Sequence, residues 1–384
     1  MTKNTICQTV DVHSMGTEIK ELSELAVRGL VPMFDPQSQL FCFRLKRSRS
    51  GMIREGLSRR YTIMVLLGLH RREKGGLASP IKIEDVLGRL LRDTAWITNI
   101  GDLGLLLWVC ASASPDQLKK TWTRLDLPNA LTRYREVSEG RTMELAWFLS
   151  GLAQTRLVSS TEQCPGLDDL VEKCFALLGE NQGNHGYFGH SSRKGAFAGV
   201  LRGHIGSFAD QVYPIYALTR FAEAYKVQKA LEMAHACAEA ICRAQGEQGQ
   251  WWWHYDSQTG RVVERYPVYS VHQHGMAPMA LLALTKSYPG ELTPAIYKGL
   301  RWLAANNEIG SDLRDNAANV IWRCISPRGY RRYIGMAASL LGLRDTFQSP
   351  DNMAITWECR PYELGWLLYA FPAGDTAMPP IQAA

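Results

Sequence analysis

Gln182-Gly-Asn-His-Gly186-Tyr-Phe188 and Gln245-Gly-Glu-Gln-Gly249-Gln-Trp251 share one pattern, Gln-Gly-x-x-Gly-x-aromatic, and begin 63 residues apart, at 182 and 245. Each closes an amphipathic helical stretch, Leu167 to Leu178 in the first copy and Val227 to Ala244 in the second. The same offset maps Ser207 onto Ser270 and Ala217-Leu218 onto Ala280-Leu281. Similarity held in register over helix, Gly-aromatic turn, loop and second helix marks one supersecondary unit used more than once.

Fainter copies extend outward. Glu144-Leu-Ala-Trp147-Phe-Leu resembles Glu363-Leu-Gly-Trp366-Leu-Leu, and Leu66-Leu-Gly-Leu69 resembles Leu281-Leu-Ala-Leu284. These echoes predict apolar helices near 61–70, 101–111, 142–154, 209–221, 273–286 and 362–371. One-faced helices are predicted near 17–30, 83–95, 115–125, 167–179, 227–244, 295–306 and 330–342, with a further helix over 313–325. A helix apolar all round must be surrounded by protein, whereas a one-faced helix keeps its polar side in water. Alternating the two kinds builds concentric layers of six or seven antiparallel hairpins closed into a ring. The expected fold is therefore an all-α, single-domain ring over 1–384 with its core at 17–371. Only 260–272 (GRVVERYPVYSVH) alternates as a strand does. A short hairpin or extended loop near 255–272 is expected over one mouth of the ring.

Composition bounds the function. Hydrophobic residues make up 46% of the 384 and charged residues 21%, the balance of a globular chain. The longest apolar run, Leu103 to Ala113, is about half of what a membrane span requires. The N-terminal MTKNTICQTVDVHSMGTEIK has no apolar core of a secretory signal, so a cytoplasmic protein is expected. None of the nine cysteines forms Cys-x-x-Cys, which fits reduced, buried thiols. Between Arg44 and Arg60 stand Lys46, Arg47, Arg49, Arg54 and Arg59 against Glu55 alone. This strip reads either as a solvated basic loop or as a surface attracting an anionic ligand. No nucleic-acid-binding module accompanies it. The phosphate-binding Gly-x-x-x-x-Gly-Lys-Ser/Thr, the dinucleotide Gly-x-Gly-x-x-Gly and the Gly-x-Ser-x-Gly elbow are missing from the sequence, so no cofactor is expected.

On these repeats the chain resembles the α/α toroids, an architecture shared by the six-hairpin glycosidases, related sugar epimerases and lyases, and the terpenoid cyclase and protein prenyltransferase group. The Gln…Gly-x-Trp/Phe pattern at Gln182–Phe188 and Gln245–Trp251 is similar to the repeat motif of triterpene cyclases, and looser forms occur in sugar-acting toroids. The resemblance spans most of 17–371, with its specific motifs at about 182–285. It implies that the turn motif ties an outer helix to its neighbour.

In such a ring the inner helices run parallel, so their N-termini open at one face around a shared hollow. The polar residues at those starts are Arg59 and Tyr61, Asp102, Glu144, Asp210 and Gln211, His272 and His274, Asp312, and Glu363. Each acid alone is explained by capping and the helix dipole, worth roughly 0.3–1 kcal/mol. Convergence of several acids and histidines is what paired acid–base chemistry needs. Asp210 is the first candidate, because its counterpart one repeat later is Gln273 rather than a retained acid. Paired with Glu144 or Asp102, it forms a set whose members can be held in opposite protonation states. His272 and His274 lack a third metal ligand at recognisable spacing, so acid–base or hydrogen-bonding roles are assigned and no metal site is expected. Trp252, Trp253, Tyr266 and Tyr269, with Tyr187 one repeat earlier, either pack beneath the loop or offer flat faces to a sugar ring or a carbocation. Arg202 or Arg59 is placed to offset charge on a substrate.

Three functions are compatible with these residues. A carbohydrate-active enzyme acting on an acidic or neutral sugar, small or oligomeric, would use the carboxylates, histidines and aromatics. An isoprenoid cyclase would use the aromatics, but the Asp-x-Asp-Asp acid of that class is missing from the sequence. A non-catalytic scaffold would have its hollow plugged by apolar side chains.

Overall fold

A computed structural model of the chain describes residues 12–192, 202–288, 292–329 and 350–373. Twelve helices of seven residues or more alternate between two layers among the described residues. The outer layer holds α1 (Val12–Leu30), α3 (Ile83–Arg92), α5 (Leu118–Arg124), α7 (Leu167–Gly179), α9 (Gln228–Arg243) and α11 (Thr293–Leu303). The inner layer holds α2 (Arg59–Lys74), α4 (Ile100–Ala113), α6 (Thr142–Val158), α8 (Ala209–Tyr225), α10 (Ala277–Ser287) and α12 (Pro361–Ala370). A single π-type turn, His272–Met276, leads into α10.

The pattern of apolar residues decides the layer. Every residue of α4 from Ile100 to Ala111 is buried. In α3, by contrast, Ile83, Val86, Leu87 and Leu90 are the buried set, the one-sided stripe of a surface helix. Each inner helix touches the next in the order α2, α4, α6, α8, α10, α12, and α12 packs back on α2 to close the ring. Glycines permit the closest approaches. A Cβ at Gly104 of α4 would lie 2.4 Å from the Phe148 Cα of α6, and one at Gly68 of α2 would lie 2.2 Å from the Gly365 carbonyl of α12.

The repeat motif has the same geometry in both copies. The Gln182 side-chain amide donates to Gly186 O (3.0 Å) and to Met233 O of α9 (2.8 Å). The Gln245 amide donates to Gly249 O (3.0 Å) and to Ala295 O of α11 (2.9 Å). Both glycines have positive φ, +88° and +104°, and their bare Cα atoms sit against the Ala236 and Lys298 carbonyls of those outer helices. Each glutamine thus fastens its turn to the outer helix of the following hairpin, while Phe188 and Trp251 plug the core.

Small sheets gather at the face where the inner helices begin. Strands β1 (Phe34–Asp35), β2 (Leu40–Ser48) and β3 (Gly51–Leu57) lead into α2 and are joined by β12 (Glu358–Cys359). Strand β4 (Ile205–Ser207) pairs with β5 (His254–Asp256), which pairs with β6 (Val262–Glu264). Strand β10 (Cys324–Pro327) joins β7 (Val268–Tyr269) to β11 (Met353–Thr356).

The expected extended loop near 255–272 is therefore present, built as β5, β6 and β7. Two expectations change. The basic strip from Arg44 is a β-hairpin, because Leu40, Phe41, Cys42 and Leu45 are buried under strands whose charged residues face outward. The helix expected over 313–325 is instead the hairpin of β8 (Arg314–Asp315) and β9 (Val320–Ile321), followed by β10. There the Asp315 carboxylate accepts the Ala318 N–H at 2.9 Å and Asn319 adopts φ +52°, a turn that competes with helix. The helix expected at 330–342 lies outside the described residues. The described part thus has six hairpins.

Candidate functional site

Below the mouth, the axis of the ring is filled by aromatics. Trp108, Tyr216, Trp366 and Tyr369 pack against one another, and Trp366 Nε1 donates to Tyr213 OH at 3.0 Å. Above Tyr213 a cavity of about 210 Å³ opens. Its walls are Tyr61, Trp147, Trp253, Tyr269, Tyr362 and His272, with Arg60 and Arg323 among them. Tyr61 lies between Phe43 (5.4 Å) and Tyr362 (4.5 Å), so one aromatic stack runs from the cavity to the half-exposed rim of the hairpin.

Arg60, Asp102 and Glu363 meet near this cavity because each stands at an inner-helix start, whereas Arg323, just before β10, and Glu358, in β12, come from the segments over the mouth. Arg60 on α2 binds Asp102 on α4 through two bonds, 2.6 and 3.1 Å, and its guanidinium lies 5.3 Å from the Trp147 ring centre. Arg323 is salt-bridged to Glu363 at the start of α12 and lies 3.1 Å from Glu358. Glu358 also receives Arg360 (3.0 Å) and Arg44 (2.7 Å), which clamps the hairpin to the mouth.

On the adjacent helices α6 and α8, Glu144 and Asp210 are both buried, and each has one carboxylate oxygen without a hydrogen-bond partner. Burial pushes the Glu144 carboxyl above the usual range, and the charge of Asp210 adds to the effect. Asp210 Oδ2 accepts from Ser207 N (2.8 Å) and Ser207 Oγ (2.9 Å), and lies 3.2 Å from His190 Nδ1. The hydrogen bond to Asp210, and then its charge, raise the His190 imidazole above its ordinary value. The outcome is two neighbouring carboxyls in different surroundings, one holding its proton more firmly and one supplied with donors.

Sequence reasoning and structure coincide at some positions only. Asp102, Glu144, Asp210 and Glu363 do stand in the first turns of α4, α6, α8 and α12, none of them in the cavity lining itself, and Tyr61, Trp253, Tyr269 and His272 line the cavity. His272 packs against Phe208, and burial pushes it down to about 3. His274 is fully buried, with neither ring nitrogen bonded, and is also pushed down to about 3. Both rings are neutral near pH 7, which suits His272 to contact or hydrogen bonding rather than proton transfer. Arg59 points away toward Asp93 at 3.9 Å. Tyr187 is tied to Ala240 O (2.9 Å), Trp252 to Ala244 O (2.7 Å) and Tyr266 to Glu308 (2.9 Å), all as packing beneath the loops. Arg202 is held by Glu264 at 2.6 Å, and Asp312 pairs with Arg314 in the β8 turn. The structure adds Arg60, Trp147, His190, Tyr213, Arg323 and Tyr362. Trp147 and Tyr213 stand three residues after Glu144 and Asp210, one turn along the same helix face, a spacing visible in the sequence. Arg323 gave no such signal, since its segment reads as helix.

No protein-family model matches the chain, and no curated protein matches it in sequence. Solved structures do match its shape. It is similar to an unsaturated glucuronyl hydrolase specific for heparin, with 14% identity, 92% of this chain and 95% of that one covered, and a TM-score of 0.53. It is similar to a possible member of the GH105 family from Salmonella enterica serovar Paratyphi A, with 14% identity, 93% of each chain covered and a TM-score of 0.59. A sugar epimerase from a ruminal bacterium matches at 10% identity over 93% of this chain and 98% of that one, with a TM-score of 0.61. The chain is an α/α toroid. Within that toroid, no described helix is long and apolar enough to cross a membrane, and no described cluster of three His, Cys, Asp or Glu side chains could hold a metal ion.

Proposed function

We propose that this toroid is a carbohydrate-active enzyme that works by carboxylate acid–base chemistry at the mouth of the ring. The observation that carries the reading is the buried pair of Glu144 and Asp210, on neighbouring inner helices beside an aromatic cavity. Glu144 serves as the proton donor and Asp210 as the acceptor, with Ser207 and His190 orienting its carboxylate. The cavity lies below the roughly 300–1,000 Å³ typical of drug-sized ligand sites, so it suits one sugar ring. Trp147, Trp253 and Tyr269 supply flat faces for that ring. Arg60 and Arg323, each already paired with a carboxylate, can still offer guanidinium N–H donors to hydroxyl or carboxylate oxygens of the sugar. Hydrolase, lyase and epimerase chemistry all use this set.

The aromatic lining on several sides also suits an isoprenoid cyclase, whose carbocation would rest on π faces. The guanidinium N–H groups of the wall and the buried carboxyl pair serve a ligand rich in oxygen atoms and have no use for a hydrocarbon cation, so the sugar reading is preferred. An open cavity argues against a plugged, non-catalytic ring.

The test is an assay on nitrophenyl glycosides, uronides and uronyl disaccharides, with products read by NMR, and on prenyl diphosphates in parallel. Turnover of a saccharide is expected, with Glu144→Gln and Asp210→Asn each slower by about 10²–10⁴. Saccharide turnover that neither substitution slows would refute the site, and cyclised prenyl products would refute the substrate class.

A further inference from the structure

A second groove lies on the outside of the ring rather than at its mouth. It has a volume of about 370 Å³ and runs between the outer helices α3 and α5. Ser114, which caps the C-terminal end of α4, lines one end, so the groove reaches the end of that helix opposite Asp102. The floor is apolar, made by Leu87, Leu91 and the bare backbone of Gly88.

Gly88 is the informative residue. It stands in the middle of a helix, where glycine weakens the helix relative to alanine and needs a reason. Close packing is not that reason: an added Cβ would meet only the Arg92 guanidinium, at 4.0 Å. A larger side chain would simply occupy the groove. Around the rim stand Arg92, Lys120 and Arg124, exposed and in no ion pair with a described residue, against the single acid Glu84. Three cations over an apolar floor present a surface complementary to a ligand with one apolar part and one anionic part.

We propose that the α3–α5 groove is a binding site for a small amphipathic anion, its apolar body on Leu87, Gly88 and Leu91 and its charge among Arg92, Lys120 and Arg124. The site stands apart from the acid–base pair and does not depend on the catalytic reading.

The probe is octyl phosphate below its micellar concentration, titrated calorimetrically into the full-length protein, with inorganic phosphate and neutral octyl glucoside as controls. Saturable one-to-one binding of octyl phosphate is expected, at least tenfold tighter than either control and weakened by added salt. Gly88→Leu fills the groove and improves helix propensity, so it should abolish binding while the melting temperature holds or rises. Arg92→Ala with Arg124→Ala should weaken binding at least tenfold. Absence of saturable binding, equal affinity for octyl glucoside, or undiminished binding by folded Gly88→Leu protein overturns the proposal.

Discussion

At the scale of single residues, the environment of each carboxyl decides its chemistry. Glu144 and Asp210 have similar side chains, yet one is desolvated and the other collects Ser207 and His190. In the proposed reaction Glu144 is the protonated donor, so the rate should fall as pH rises through its elevated pKa. A pH–rate profile of the wild-type protein reads this directly, and a rate indifferent to alkaline pH would remove Glu144 as the donor. His190 carries a second dependence. Its folded value lies above the ordinary 6.5, so its pairing with Asp210 stabilises the protein fully below 6.5 and is lost as pH rises through the raised value. An NMR titration of the His190 ring should show that elevation, and Asp210→Asn should return it toward 6.5. An unshifted ring in the wild-type protein would mean that the contact is not an ion pair.

At the scale of elements, the ring depends on how closely its inner helices approach. Gly104 and Gly151 face each other across α4 and α6, and a Cβ at Gly151 would lie 2.3 Å from the Gly104 carbonyl. Alanine there cannot be absorbed by a flexible side-chain tip, because the obstacle is backbone. Gly104→Ala should therefore cost about 1–3 kcal/mol, measured by urea unfolding. It should also lower activity, since α4 and α6 carry Asp102 and Glu144 to the mouth. Unchanged stability would show that the helices slide apart freely.

At the scale of the whole molecule, closure joins the first and last of the described hairpins. The last inner helix, α12, packs on α2, α10 and α1, and the β12 strand before it pairs with β2. Glu358 on that strand gathers Arg44, Arg323 and Arg360 from three separate segments. A chain ending before Pro361 would expose the apolar faces of α2 and α10 at once. It should lose the single cooperative unfolding transition rather than merely shift its midpoint, as followed by circular dichroism in denaturant. Retention of one sharp transition would mean that an open five-hairpin arc is stable.

The sequence by itself determined the helical layers, because the number of apolar faces on a helix states whether protein or water surrounds it. It determined the hairpin repeat too, since Gln182 and Gln245 each make two specific hydrogen bonds that few other side chains could make. It also brought Asp102, Glu144, Asp210 and Glu363 to one end of the molecule, a consequence of parallel inner helices. Only the tertiary structure decided which of their neighbours share the cavity. Arg60 enters where Arg59 does not, and Trp253 enters where Trp252 is tied down to Ala244, because a single residue of phase turns a side chain between cavity and packing. Arg323 and His190 arrive through loops and short strands, whose paths are set by partners distant in the chain and leave no periodic trace in the residues themselves.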